Sequence, residues 1–136
     1  MQFETKFTIV VAEDLPMWQK LNVVSFLAGG VTKSEHVNTG KQYLDSEGNT
    51  YLPLCTQPII VLKAPRNKLP TFIQRAKKVQ TDVAIFIDDM FYTGFDEANR
   101  KTTELYTSEK LPLVGIAMCT DKKIVDKIFK GAKLHD

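Results

Sequence analysis

Four segments of the chain carry nearly continuous apolar or β-branched residues, and each predicts a buried strand. Runs of this kind are typical of strands that are covered on both faces of a sheet. The four segments are "KFTIVVA", "QPIIVLKA", "VAIFI" and "LPLVGIAMCT". We therefore expect these segments to form the centre of the fold.

The segment after the first strand has the spacing of an amphipathic helix. Its apolar residues recur every three or four positions before a Gly-Gly pair, which predicts a helix that ends at Gly29 and Gly30. The apolar stripe expected to face the sheet consists of Met17, Leu21, Val24, Leu27 and Ala28.

Three further helices and a surface hairpin are predicted downstream. "FDEANRKTTELY" places acids before bases, as a helix dipole favours, and "DKKIVDKIFKG" predicts a last helix that stops at Gly131. "KQYLDSEGNTYLPL" surrounds a cluster of turn residues with strand-like ends, which predicts the hairpin. The helix between the second and third strands has a stripe formed by Leu69, Phe72, Ile73, Ala76 and Val79.

Strands that alternate with helices predict an α/β protein, and the length sets its size. A chain of 136 residues with 43% hydrophobic and 25% charged residues fits one globular domain, which we expect to span residues 1–136. The formal charge of +2 does not by itself indicate a nucleic-acid or membrane partner. Two cysteines, and no basic-then-apolar leader before the first strand, predict a reduced, cytoplasmic protein without a membrane segment.

The third strand ends on two adjacent carboxylates, Asp88 and Asp89. Strand ends of α/β sheets open onto ligand crevices, so one of these acids could act as a general base or orient water. Successive strand residues face opposite sides, so the two are not expected to share a proton. Asp89 is the better candidate. The alternative is that one carboxylate caps a turn and the other is solvated.

The first helix offers a polar strip that could lie beside Asp89. Lys20 and Asn22 are near its start, and Ser25 follows one turn later. These groups could hydrogen-bond a ligand, but Ser25 could equally mark a close contact between helix and sheet. Trp18 could stack on a base or simply pack at an interface.

Basic residues form two clusters that could track phosphates. No aromatic residues interleave with them as in nucleic-acid sites, so solvated helix faces are the competing interpretation. The first cluster is Lys63, Arg66, Lys68, Arg75, Lys77 and Lys78, and the second is Lys122, Lys123, Lys127, Lys130 and Lys133.

No metal site or cofactor is predicted. His36 and His135 stand alone, without Cys or His at metal-ligand spacing. "AGGVTK" follows a helix instead of opening one, so it is not a phosphate-binding loop. Cys55 lacks a base partner in the sequence and is expected to be a buried small side chain.

The ordered features together resemble the peptidyl-tRNA hydrolase II family over most of the chain. The stretches that carry the resemblance are "FTIVVAEDLPM", "IIVLKAPRNKLPTFIQRAKKVQTDVAIFIDDMFYTG" and "LPLVGIAMCTDKKIVDKIFKGAKLHD". The chain looks most similar to an uncharacterised bacterial branch of that superfamily, a domain of unknown function. The resemblance implies a three-layer α/β/α fold with a mixed four-stranded sheet, an inserted hairpin segment at residues 31–56, and a homodimer.

The resemblance retains only part of the family's site. Asp89 and Thr93 match its Asp and Thr after the third strand, and Lys63 matches the lysine of its "LKA" strand end. On the first helix the lysine position falls on Leu21, with Lys20 next to it, and the glutamine position falls on Ser25. The family's histidine position falls on an alanine, and its closing motif, matched by residues 126–131, lacks the threonine.

Two functional hypotheses follow. In the first, the protein hydrolyses an ester- or amide-linked substrate such as peptidyl-tRNA, with Asp89 as base or water-orienting group and Lys20 as electrostatic helper. Asn22, Ser25, Lys63 and Thr93 would then position the substrate. In the second, it is a catalytically silent module that binds a small ligand or a protein. The hydrolase hypothesis requires Lys20 and Asp89 to meet across one hollow.

Overall fold

The computed structural model describes residues 3–136 and has the alternating strand and helix order that the pattern predicts. Short 3-10 turns at Arg66–Lys68 and Asp88–Tyr92 precede the second and third helices. The strands are β1 (Thr5–Ala12), β2 (Tyr43–Leu44), β3 (Thr50–Tyr51), β4 (Ile59–Ala64), β5 (Ala84–Ile87), β6 (Leu113–Asp121) and β7 (Lys133–Leu134). The helices are α1 (Met17–Val31), α2 (Leu69–Lys78), α3 (Asp96–Thr103) and α4 (Lys122–Ile128).

The main sheet has five strands in the order β5-β6-β1-β4-β7. β1 and β4 run parallel, and every other neighbouring pair is antiparallel, so the sheet is mixed as expected. The predicted count of four strands is wrong because the short strand β7 pairs with Leu62 and Lys63 of β4. A two-residue strand has too little hydrophobic pattern to be predicted.

The two central strands supply most of the buried layer. β1 and β6 pair from Thr5 opposite Asp121 to Val11 opposite Gly115. Alternate residues face opposite sides of the sheet, so Ile9 and Val11 share one face while Thr8 and Val10 share the other. Both faces are buried at these positions, which explains the continuous apolar runs in the sequence.

Helix α1 covers the face of the sheet on which Val11 and Gly115 lie. A Cβ atom at Gly115 would lie 2.5 Å from Val23 Cγ1 and 2.8 Å from Leu27 Cδ1, so the glycine lets the helix approach the sheet. The buried residues of α1 are Val23, Leu27 and Val31. The predicted stripe is therefore wrong in part, since Met17 and Leu21 are 64% and 62% exposed.

The predicted glycine stop of α1 is also wrong. Gly29 and Gly30 lie inside the helix, which continues to Val31. A Cβ atom at Gly30 would lie 3.6 Å from Ala84 Cβ of β5, so this position touches the neighbouring strand.

Helices α2 and α4 cover the opposite face. Phe72 of α2 packs edge-on against Phe129, with the ring centroids 5.5 Å apart. The predicted stripe of α2 is confirmed for Leu69, Phe72, Ile73 and Ala76, which are buried, while Val79 is 44% exposed. Helices on both faces of the sheet give three layers.

The predicted hairpin is confirmed as the separate pair β2 and β3. The Asp45 carboxylate accepts hydrogen bonds from Asn49 and Tyr51 side chains and from the Glu47 and Asn49 backbone, which lowers the pKa of Asp45 to about 2. This turn chemistry closes the hairpin. Among the residues that the structure describes, no helix has the length and apolar character needed to cross a bilayer.

Candidate functional site

The chain leaves β1, β4 and β5 at the same end of the sheet, and charged residues from the three exits meet there. Arg66, after β4, lies with its Nε 3.3 Å from Asp14 Oδ2 and its Nη1 3.6 Å from Asp88 Oδ1. Asp88 thus pairs with Arg66. Asp88 and Asp89 lie in the 3-10 turn after β5 and not in the strand, so the expected strand alternation does not apply to them.

Asp89 is bound to the segment that contains α3. The Thr102 hydroxyl donates to Asp89 Oδ2 at 2.5 Å, and the Tyr106 hydroxyl donates to the same oxygen at 2.9 Å. The hydrogen bond from Thr102 is the main cause that lowers the pKa of Asp89, and the bond to Asp89 raises the pKa of Tyr106. The carboxylate is therefore ionised at neutral pH and is a weak base.

Thr93 is tied to the same helix. Its hydroxyl lies 3.1 Å from the Met90 carbonyl oxygen and hydrogen-bonds the Asn99 side chain. The two residues that match the family's Asp and Thr thus both hold α3 against the end of β5. Sequence reasoning missed Thr102, Tyr106 and Asn99, because they lie in polar segments with no signal beyond helix propensity.

A cleft of about 510 Å³ lies between α1, β5 and α3, and we call it the α1–α3 cleft. The Phe26 and Phe86 rings contact each other in its apolar lining, which we call the floor, with their centroids 5.9 Å apart. The apolar lining is Phe26, Leu27, Ala84, Ile85, Phe86 and Met90. The polar lining comes mainly from α3 and consists of Asp96, Asn99, Arg100, Thr103 and Glu104.

Lys20 and Lys63 bind the neighbouring residues His135 and Asp136 at the other edge of the sheet. Lys20 Nζ lies 3.2 Å from His135 Nε2, and Lys63 Nζ lies 2.7 Å from Asp136 Oδ1. The hydrogen bond to Asp136 raises the pKa of Lys63, and the same bond lowers the pKa of Asp136. An ammonium only donates, so His135 Nε2 accepts, and its Nδ1 donates to the Asp136 carbonyl oxygen at 2.8 Å.

The rest of the predicted polar strip on α1 points to solvent. Asn22 is exposed. Ser25 is also exposed, and its hydroxyl donates to the Leu21 carbonyl oxygen at 2.8 Å. The alternative that Ser25 marks a close contact between helix and sheet is wrong, because Ser25 is exposed and the helix approaches Gly115 through Val23 and Leu27.

Lys20 and Asp89 have separate partners. Among residues 3–136, no hydrogen bond or ion pair joins their side chains. Trp18 of α1 packs edge-on against Phe91, just after Asp89, with ring centroids 5.9 Å apart. Lys20 lies about 200° further around the helix, at 3.6 residues per turn, and contacts His135 instead.

A cavity of about 750 Å³ lies at the opposite end of the sheet from Asp89. Its lining includes His36 and the buried Cys119, and burial raises the pKa of the Cys119 thiol. A protonated buried thiol is not a nucleophile. Both cysteines are free, and the described residues form no group of three or more potential metal ligands. None of the predicted site residues lines this cavity.

Comparison with known proteins identifies a family but no activity. The family model described as "Protein of unknown function (DUF2000)" matches residues 5–136. The fold is similar to that of the protein of unknown function Atu0240 from Agrobacterium tumefaciens strain C58, with a TM-score of 0.93 and 40% sequence identity. That match covers 99% of this chain and 100% of the other. No curated protein matches the chain.

Neither description names a reaction, so the resemblance to peptidyl-tRNA hydrolase II stays a prediction. The match over residues 5–136 spans nearly the whole sequence. The chain therefore belongs to the DUF2000 family.

Proposed function

We propose that the protein binds a small, largely apolar molecule in the α1–α3 cleft. The observation that carries this proposal is the lining of the cleft, an aromatic and aliphatic floor with polar groups on one wall. Its volume of about 510 Å³ lies within the range of small-molecule sites, roughly 300–1,000 Å³.

The contacts of Asp89 and Thr93 support binding in preference to catalysis. Both side chains hold α3, which forms the polar wall of the cleft. A carboxylate that accepts two hydroxyl donors on one oxygen serves better to fix a wall than to abstract a proton. The two positions that match the hydrolase family would thus shape the site.

The charges on the wall indicate the chemistry of the ligand. Arg100 is paired with Asp96 and Glu97, whereas the Glu104 side chain accepts no hydrogen bond within residues 3–136. The Glu104 carboxylate is therefore the charged group that could bind a ligand in the cleft. We expect an apolar body that carries a hydrogen-bond donor or a positive charge.

A ligand-observed NMR screen with small amphipathic amines and their neutral analogues tests this proposal. Phe26→Ser removes part of the floor, and Leu21→Ser is the matched control, since the two side chains are 63% and 62% exposed on the same helix. Leu21 lies outside the cleft. Binding that is lost in Phe26→Ser and kept in Leu21→Ser supports the proposal. Equal loss in both variants, or no binder at all, contradicts it.

A second candidate is the hydrolysis of an ester- or amide-linked substrate such as peptidyl-tRNA. The observation that favours it is the ionised Asp89 just after β5. The Thr102 and Tyr106 hydroxyls both donate to its Oδ2 and leave its Oδ1 to bind water. Asp89 Oδ1 would orient water, and Thr93 would help to position the substrate. Lys20 and Lys63 bind His135 and Asp136 at the other edge of the sheet, so they have no role in this candidate. Asn22 and Ser25 are exposed and have none either.

Turnover of peptidyl-tRNA by the purified protein tests the second candidate. Asp89→Asn should lower kcat about 100-fold or more if its carboxylate acts on the reacting atoms. Lys20→Met should leave kcat unchanged, because Lys20 binds His135 at the other edge of the sheet. Asp88→Asn is the control, since Asp88 lies in the neighbouring ion pair with Arg66. Equal rates in wild type and Asp89→Asn would remove this assignment.

A further inference from the structure

A small cavity of about 250 Å³ lies on the face of the sheet opposite α1, between β1, β4 and the end of α4. We call it the Thr8 cavity. The residues that matter for its chemistry are Lys6, Thr8, Asp126, Phe129, Lys130 and Gly131.

Thr8 places an unsatisfied hydroxyl in this cavity. The residue is 2% exposed, and its Oγ1 is buried without a hydrogen-bond partner in the described part of the chain. Thr8 lies opposite Met118 in the register of β1 and β6, on the face that α4 covers. Buried polar groups in proteins are normally satisfied, so a bare hydroxyl in a cavity indicates that a ligand or water completes it.

Positive charge surrounds the cavity. Lys6 and Lys130 line it, and Lys68 is close, because a Cβ atom at Gly131 would lie 3.0 Å from Lys68 Cε. Among the described residues that line the cavity, Asp126 alone carries a carboxylate, and its Oδ1 lies 2.6 Å from Lys6 Nζ. The excess of positive charge favours an anion.

The turn that carries Lys130 is fixed in place. Arg75 Nη1 donates to the Ile128 carbonyl oxygen at 2.9 Å and to the Lys130 carbonyl oxygen at 2.8 Å. Gly131 adopts a φ of +107°, which a side chain would disfavour. A wall held by charge-assisted hydrogen bonds is preorganised for a ligand.

We infer that the Thr8 cavity binds a phosphate group. The Thr8 hydroxyl donates to one phosphate oxygen, and the Lys6 and Lys130 ammonium groups balance the charge. Asp126 pairs with Lys6 and so competes with the anion for that ammonium group. The site lies on the other face of the sheet from the α1–α3 cleft, so it does not depend on the function proposed there.

Calorimetric titration of the protein with inorganic phosphate at pH 7 and constant ionic strength tests the inference. Thr8→Val keeps the shape of the side chain but removes the donor, and we expect about tenfold weaker binding. Lys6→Met should weaken binding by a similar factor. Asp126→Asn should tighten it, because the competing carboxylate is gone.

Lys123→Met is the matched control, since Lys123 is exposed on α4, the helix that carries Asp126, and does not line the cavity. It should leave the phosphate affinity within twofold of wild type. Thermal unfolding distinguishes a purely structural role of Thr8. If the hydroxyl hydrogen-bonds only water, Thr8→Val will raise the Tm and leave the affinity for phosphate unchanged. This result would overturn the inference.

A second titration distinguishes the source of the phosphate group. Free phosphate and the backbone phosphates of tRNA present the same oxygens to the cavity. If the ligand is a free phosphate or a small phosphate ester, phosphate binds and tRNA does not compete with it. If it is a nucleic acid, tRNA competes and Thr8→Val weakens that competition. The absence of phosphate binding by the wild-type protein overturns the inference.

Discussion

Gly115 shows how one missing side chain sets the distance between α1 and the sheet. Alanine at this position would force its Cβ to within 2.5 Å of Val23 Cγ1, and a β-branched side chain in a helix cannot easily rotate away. We expect Gly115→Ala to lower the free energy of unfolding by about 1–3 kcal/mol. Chemical denaturation measures the change.

Gly29→Ala is the matched control for this prediction. No atom lies within 4 Å of a Cβ atom at Gly29, and the position is inside α1. Alanine should therefore raise stability by about 0.5–1 kcal/mol through helix propensity. If both substitutions shift stability in the same direction, steric contact at Gly115 is not the cause.

Asp89 provides a pH-dependent prediction. Its pKa is lowered in the folded protein, chiefly by the hydrogen bond from Thr102. Its contribution to stability is therefore fully present above the ordinary pKa near 3.8 and is lost as the pH falls through the lower folded-state pKa. We expect Asp89→Asn to cost about 1–2 kcal/mol at pH 7. The difference from wild type should shrink as the pH falls through the folded-state pKa. Urea denaturation at pH 7 and pH 3 measures both values.

At the scale of single residues, the sequence predicted positions better than partners. It placed two carboxylates just after β5, but the strand alternation that was expected to separate them does not apply, because both lie in the 3-10 turn that follows the strand. It did not predict that Thr102 and Tyr106 bind Asp89, or that His135 binds Lys20. These contacts join distant parts of the chain through polar side chains, which leave no periodic pattern.

Helix α2 is followed by Gln80, a non-glycine residue in the left-handed backbone conformation. Gln80 has a φ of +55°, while its N–H donates to the Lys77 carbonyl oxygen and the Thr81 N–H donates to the Ala76 carbonyl oxygen. This is the Schellman arrangement, in which glycine is favoured at the left-handed position. We expect Gln80→Gly to stabilise the protein by about 0.5–1 kcal/mol, measured by thermal unfolding. Lys78→Gly, inside the helix, should instead destabilise it.

At the scale of elements, the difference between α1 and α2 explains which predictions succeeded. The apolar residues of α2 form a narrow stripe, and polar and charged residues cover most of the rest of the helix, so the sequence alone predicts which face is buried. α1 carries large apolar residues around most of its circumference, and Trp18 and Phe26 are 61% and 63% exposed. Periodicity cannot predict which face of such a helix is buried. The buried face is the one whose Val23 and Leu27 pack against Gly115.

At the scale of the whole molecule, we expect a homodimer. The exposed large side chains Met17, Trp18 and Leu21 lie together on α1, and apolar groups of this kind often mark interfaces. Sedimentation equilibrium should give about twice the chain mass of 15.4 kDa. Met17→Glu should shift the protein to the monomer, whereas Leu52→Glu on the hairpin should not. A wild-type monomer contradicts this expectation.

The pairing of β1 with β6 also bears on how the protein is made. Thr5 lies opposite Asp121, so the first strand finds its antiparallel neighbour more than a hundred positions downstream. Contacts this distant in sequence slow folding, since a long loop must close before they form. During translation, β1 can pair with β4 but must wait for β6 to leave the ribosome. The nascent chain therefore exposes this apolar edge of β1 until β6 has been synthesised, and chaperones that bind such edges can act in that interval.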